Sequence, residues 1–169
     1  MIMKKLTRIA ALLLAVLLVF PFAGCGTEQV QAKESVVESS YGDTGEELTV
    51  SEKGTYTDKE HVALYIYTYG KLPSNFITKK EAKAAGWVSN KGNLNIVCPG
   101  KSIGGDYFGN YEGLLPEKKG RNYHECDIGY NPKGITSKPV YRGEERIIYS
   151  NDKLVFYTDD HYATFEQLY

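Results

Sequence analysis

Histidine and cysteine are scarce in this chain, three of each among 169 residues. No Cys-x-x-Cys pair and no paired histidine spacing occurs, so the sequence offers no structural zinc site. Long apolar runs are missing as well. The longest, Ile9–Phe20, has 12 residues, short of the roughly 20 that a membrane-spanning helix needs. No internal repeat and no low-complexity tract points to another structural class. Strong net charge is absent too: 20 Lys and Arg stand against 21 Asp and Glu, so charge alone announces no nucleic-acid partner.

What is present begins with a leader. Lys4, Lys5 and Arg8 precede the apolar run and Pro21-Phe22-Ala23-Gly24-Cys25 follows it, the pattern of an export signal over residues 1–24. Ala23-Gly24-Cys25 resembles a lipoprotein processing site, with Phe22 where a Leu-like residue is usual. Two outcomes are open: a lipid on Cys25 that tethers the protein to the outer face of the membrane, or plain cleavage and release. Cys98 and Cys126 are then an even pair in an oxidising compartment, at a separation the sequence does not set. Gly26–Glu60 carries 3 Lys against 9 Asp and Glu, whereas His61–Tyr169 carries 14 Lys and Arg against 12 Asp and Glu. Residues 25–55 therefore read as an acidic flexible tether, a folded propeptide being the other reading, and residues 56–169 as the domain.

Within the domain, helices come first. Val62, Leu64, Tyr65, Ile66 and Tyr69 form a wide apolar side after Asp58, and Gly70 ends the pattern. Thr78 with Glu81 three residues on predicts a capping box; Ala82, Ala84 and Ala85 favour helix, and Gly86 closes it before Trp87. A third short turn is expected over Asn93–Val97. The periodicity then changes to two, with strands predicted over Ser102–Tyr107, Asn122–Ile128, Glu145–Ser150, Lys153–Thr158 and Thr164–Gln167. The expectation is an α+β fold, with N-terminal short helices packed on a four- to five-stranded antiparallel sheet.

Alternation along Arg121–Tyr130 puts Tyr123, Glu125 and Asp127 on one face and His124, Cys126 and Ile128 on the other. A carboxylate in mid-strand needs a partner or a role. Arg142 and Arg146, His161, and Lys79 in the first turn of a helix are the groups that could answer it. One carboxylate, one imidazole and fixed cations suit metal-free phosphodiester chemistry: a base, an acid and holders of phosphoryl oxygens. Taken alone, each reads more readily as something plain: His161 as a loop histidine, Arg146 as a salt-bridge partner on the sheet surface, Lys79 as a solvated cation.

From about Tyr56 onward, several ordered strings resemble the small secreted guanyl-preferring ribonucleases of bacteria, the barnase group. They are Lys71-Leu72-Pro73, Ile77-Thr78-Lys79, Gly86-Trp87-Val88, Lys91-Gly92-Asn93-Leu94 and Pro99-Gly100-Lys101-Ser102-Ile103-Gly104-Gly105-Asp106. Arg146-Ile147, Tyr149-Ser150 and Asp160-His161-Tyr162 continue them. The resemblance implies the microbial ribonuclease fold. It also implies Glu125 as general base, His161 as general acid, and Arg146, Arg142 and Lys79 as cations at the phosphate. Arg142 is placed by its four-residue distance from Arg146, because the loop over residues 131–141 is longer here. Asp127 matches a brace for the arginines, and Arg121 with Asp152 a structural ion pair. The guanine loop falls on Gly109, Asn110, Tyr111 and Glu112, with Tyr162 joining them in substrate binding. Tyr111 stands where the group has an arginine, and so does His124, which weakens the positive field of the site and ties it to pH.

The activity so implied is cleavage of single-stranded RNA after guanosine, without metal or cofactor, by a monomer held in check by a small intracellular protein inhibitor. An extracellular RNA-binding or protein-interaction domain without turnover is the rival reading.

Overall fold

Asp58 starts the first helix of the domain, α1 (Lys59–Tyr69), its carboxylate accepting the His61 amide at 3.0 Å. Gly70 ends it, returning its N–H to the Ile66 carbonyl at 2.8 Å. This helix is apolar on two sides. Val62, Ala63 and Ile66 pack on Cys126, Ile147 and Val155 of the main sheet, while Leu64 and Tyr65 cluster with Val50.

Those contacts come from a computed structural model, which describes residues 37–41, 47–130 and 138–169. The expected export signal, the lipidation candidate Cys25, the start of the expected tether and residues 131–137 of the long loop lie outside the described residues. Val50 belongs to β2 (Glu47–Val50), paired antiparallel with β1 (Val37–Tyr41). The hydroxyl of Tyr65 donates to the Glu52 carbonyl at 2.7 Å and that of Tyr69 to the Val50 carbonyl at 3.1 Å. The sequence reading places the end of the solvated tether at residue 55; the structure corrects it, since residues 47–52 are docked on α1. The cause is the second apolar side of the helix, which would otherwise face water.

Six strands form the main sheet in the order β3 (Phe76–Ile77), β4 (Ser102–Phe108), β5 (Tyr123–Asp127), β6 (Arg146–Ser150), β7 (Val155–Thr158) and β8 (Glu166–Gln167). Every pairing is antiparallel except that of β3 with β4. The expected α+β architecture is thus observed, with Phe76–Ile77 as one short strand more than the periodicity shows. Two residues are too few to display a period.

The other helical pieces cover the start of β4. The Thr78–Glu81 capping box is formed at α2 (Lys79–Ala84), and α3 is Leu94–Val97. Ala82, Trp87, Leu94, Cys98 and Ile103 close a second core cluster there, separate from the one holding Cys126. Both cysteines are free, buried thiols. On the face of the sheet away from α1, Leu115, Tyr123, Ile148 and Phe156 form a third cluster. Glu125, Asp127 and Arg146 interrupt that apolar face.

Val50 is 1% exposed, and removing its methyl groups by Val50→Ala should cost about 1–3 kcal/mol. Urea denaturation measures the loss; a midpoint unchanged from that of the parent would show that β2 is not part of the folded unit.

Candidate active site

Register explains how the charged face is assembled. Asp127 on β5 lies opposite Arg146 on β6, which lies opposite Thr158 on β7. In the neighbouring row Asp106 on β4 lies opposite Glu125 on β5. Side chains so paired point to one side of the sheet, which sequence distance hides. A bulge between Gly104 and Asp106, with Gly105 at φ 93°, brings Asp106 into this row.

Asp106 then fixes α2. Its carboxylate accepts the backbone N–H of Lys79 at 2.8 Å, an orphan donor of the first helical turn. The ammonium of Lys79 reaches across to Oε1 of Glu125 and pairs with it. Lys79, whose cation the helix dipole alone disfavours in that turn, is thereby held at both ends, its amide by Asp106 and its ammonium by Glu125.

Glu125 is 8% exposed. Its second oxygen, Oε2, accepts the hydroxyl of Tyr162 at 2.5 Å. Burial works to raise the pKa of this carboxyl. The bonds from Lys79 and Tyr162, with the charges of Lys79 and Arg146, outweigh it, and the net pKa lies below the ordinary glutamate value. Burial of the ring, and after it the same pairing, pushes the Tyr162 phenol up to about 12.

Asp127, 3% exposed, sits between both arginines: Arg146 Nε is 3.1 Å from Oδ1 and Arg142 Nε is 2.5 Å from Oδ2. Burial raises its pKa against the pull of the two guanidinium groups. Arg146 also donates through Nη1 to the carbonyls of Gly143 and Glu145, at 2.8 and 2.7 Å. Arg142 lies over the ring of Trp87, 5.4 Å from its centroid. Two cations that would repel each other are thus held side by side.

His161 and Tyr162 follow β7 in a turn of unusual backbone. Both have positive φ, 54° and 78°, which costs energy for residues with side chains. The turn is pinned from within. Asp160 accepts from the Thr158 hydroxyl at 2.8 Å, the Thr164 amide at 2.9 Å and the Thr164 hydroxyl at 2.7 Å. The Tyr162 amide donates in turn to the Thr158 hydroxyl at 3.1 Å. Neither Asp160 nor Asp106 stood out in the sequence as part of a site. The Thr-x-Asp-x-x-x-Thr spacing and the Gly-Gly-Asp of the bulge were the available signals.

Lys79, Glu125, Arg142, His161 and Tyr162 line one open groove of about 720 Å³, together with Gly109, Asn110, Tyr111 and Glu112. Arg146 lies in an adjoining pocket of about 290 Å³ that shares Arg142 and His161 with the groove. The loop after β4 is shaped by Asn110 (φ 45°), whose amide exchanges two 3.0 Å hydrogen bonds with the Leu115 backbone. The ring of Tyr111 folds over Gly109, where a Cβ would lie 2.3 Å from it. His124 is on the opposite face from Glu125, its Nδ1 3.1 Å from the Gly105 carbonyl. Arg121 and Asp152 pair at 2.8 Å, away from the groove. Among the described residues no group of three or more His, Cys, Asp and Glu could hold a metal ion.

The sheet, its covering helices and this groove make a small α+β domain with a carboxylate, an imidazole and several cations around one open cleft. The sequence model of a family described as ribonuclease matches residues 59–169. Two curated relatives, the ribonucleases of Bacillus intermedius and Bacillus pumilus, are each 38% identical over 169 residues, covering 98% of this chain and 99% of theirs. The ribonuclease of Heyndrickxia coagulans is 50% identical over 107 residues, 63% of this chain and 92% of the relative. The chain belongs to the ribonuclease family.

Replacing Lys79 by methionine should leave burial less opposed and move the Glu125 carboxyl to a higher pKa. A carbon-detected NMR titration of the glutamate carboxyls reads this directly; a lower or unmoved value would contradict the balance described.

Proposed function

We propose that this ribonuclease is an endonuclease that cuts single-stranded RNA after guanosine by transesterification, with Glu125 as base and His161 as acid. The observation that carries the reading is that both side chains line one groove, with Lys79, Arg142 and Arg146 around it. Glu125 accepts the proton of the ribose 2′-OH as that oxygen forms a bond to the adjacent phosphorus. Both its oxygens already accept one hydrogen bond, and each has a lone pair left for the incoming hydroxyl. The bond from phosphorus to the 5′ oxygen breaks, and protonated His161 supplies that oxygen with a proton. Lys79, Arg142 and Arg146 meet the charge gathering on the phosphoryl oxygens. A 2′,3′-cyclic phosphate results, which water opens slowly with the two roles exchanged. DNA lacks the attacking hydroxyl and is not cut by this route.

Guanine preference rests on the loop Gly109–Glu112: backbone amides for the base carbonyl and the Glu112 carboxylate for the N–H edge. The proposal extends to an exported monomer, lipid-anchored through Cys25 or released, and to a small intracellular inhibitor. The producing cell's own RNA carries the same scissile bond, so the enzyme needs restraint before export.

Glu125→Ala and His161→Ala should each lower kcat/KM about 10²–10⁴-fold, with unchanged circular dichroism and with EDTA present throughout. Near-normal cleavage by either variant refutes its role. Rate against pH should be bell-shaped, and Tyr162→Phe should carry the acid limb upward, because it removes a bond that favours ionised Glu125. Dinucleotides with each base on the 5′ side test specificity; equal rates for guanosine and adenosine would sink the assignment of the loop.

A further inference from the structure

A second cleft, of about 500 Å³, lies across the wall Tyr107–Asn110 from the groove, and that wall lines both. Its far side is built of Glu117, Lys118, Lys119 and Arg121. We propose that this cleft is an upstream RNA subsite, taking the phosphate and base on the 5′ side of the nucleotide held by the loop Gly109–Glu112. The proposal rests on the reading of the groove given above.

Three observations carry it. The cleft is pinned by specific bonds. Pro116 presents its carbonyl to Arg121 Nη1 and to the Tyr123 hydroxyl, both at 2.7 Å, and Asn110 ties the loop after β4 to Leu115, which is 2% exposed. Its shape therefore exists before any ligand arrives. Its charge suits a phosphodiester. Lys118, Lys119 and Arg121 face Glu117 and the neighbouring Asp152, an excess of one positive charge. Arg121 and Lys118 are engaged by Asp152, at 2.8 and 3.3 Å, whereas Lys119 makes no ion pair among the described residues. Finally, the shared wall carries Tyr107, 63% exposed, an aromatic face on which a base can stack irrespective of its identity.

Polarity follows from the chemistry. His161 protonates the 5′ oxygen of the leaving nucleoside, so the 3′ portion of the strand lies toward His161 and the pocket with Arg146. The nucleotide on the other side of the cut has its base at the loop Gly109–Glu112. Its own 5′ phosphate then departs away from His161, over the wall that leads into the cleft.

The test compares guanylyl-3′,5′-adenosine with an oligonucleotide carrying two uridines before the same step, using the full chain. Upstream uridines should raise kcat/KM, and Lys119→Ala should remove about tenfold of that gain while leaving the dinucleotide rate unchanged. Lys119→Arg should restore it. The salt dependence of the longer substrate should weaken by about 0.7 in logarithmic slope with Lys119→Ala, one phosphate contact being lost. No gain from the uridines, or an equal effect of Lys119→Ala on both substrates, overturns the subsite. If the dinucleotide shows no preference for guanosine, the reading of the groove fails instead. A deoxyribose version of the long oligonucleotide then tests the cleft alone, where binding weakened by Lys119→Ala supports it and equal binding does not.

Discussion

A carboxylate taken out of water must be met by positive charge or by hydrogen-bond donors, and Glu125 is met from two directions. Lys79 comes from the start of α2, 46 residues earlier, and Tyr162 from the turn after β7, 37 residues later. The pairing joins helix, sheet and C-terminal turn at one point. It also keeps the group ionised, the form that can take a proton. Asp127 repeats the arrangement one turn of the pleat away, with Arg142 from the loop and Arg146 from the adjacent strand. Buried ion pairs of this kind add little net stability compared with apolar packing, but losing one partner leaves a charge stranded. The cluster is therefore better understood as fixing geometry than as holding the fold together.

Stability is supplied elsewhere, by the apolar clusters on both faces of the sheet. That division leaves the groove free to hold conformations with a cost. His161 and Tyr162 occupy left-handed backbone, and the bonds of Asp160 and the two threonines keep them there. The bulge at Gly105 serves the opposite edge, turning Asp106 toward the helix that carries Lys79. The turn sets His161 and Tyr162 in the groove, and the bulge sets Asp106 under the helix that carries Lys79.

Much of the fold was legible because it is written in local patterns. Asp58, Thr78, Glu81 and Gly70 mark helix ends through backbone donors and acceptors a few residues away. Period two along Arg121–Tyr130 separated Glu125 and Asp127 from His124 and Cys126, and the sheet keeps that separation. What escaped was either too short or too distant to leave a pattern. Phe76–Ile77 has no period, and the docking of Val50 on Leu64 and Tyr65 gives the tether no sign beyond an apolar residue or two. Asp160 and Asp106 looked like ordinary loop and edge carboxylates, since their partners are amides and hydroxyls that sequence does not rank.

The sequence by itself determined the helix caps, the strand alternation and the set of charged side chains available, because these depend on chemistry within a few residues. Only the tertiary structure decided which of those charges meet. Strand register set Asp127 against Arg146, and the Gly105 bulge carried Asp106 to α2 and so positioned Lys79 near Glu125. Register and bulges are settled by the packing of whole faces against one another, a sum over distant residues that no local pattern contains.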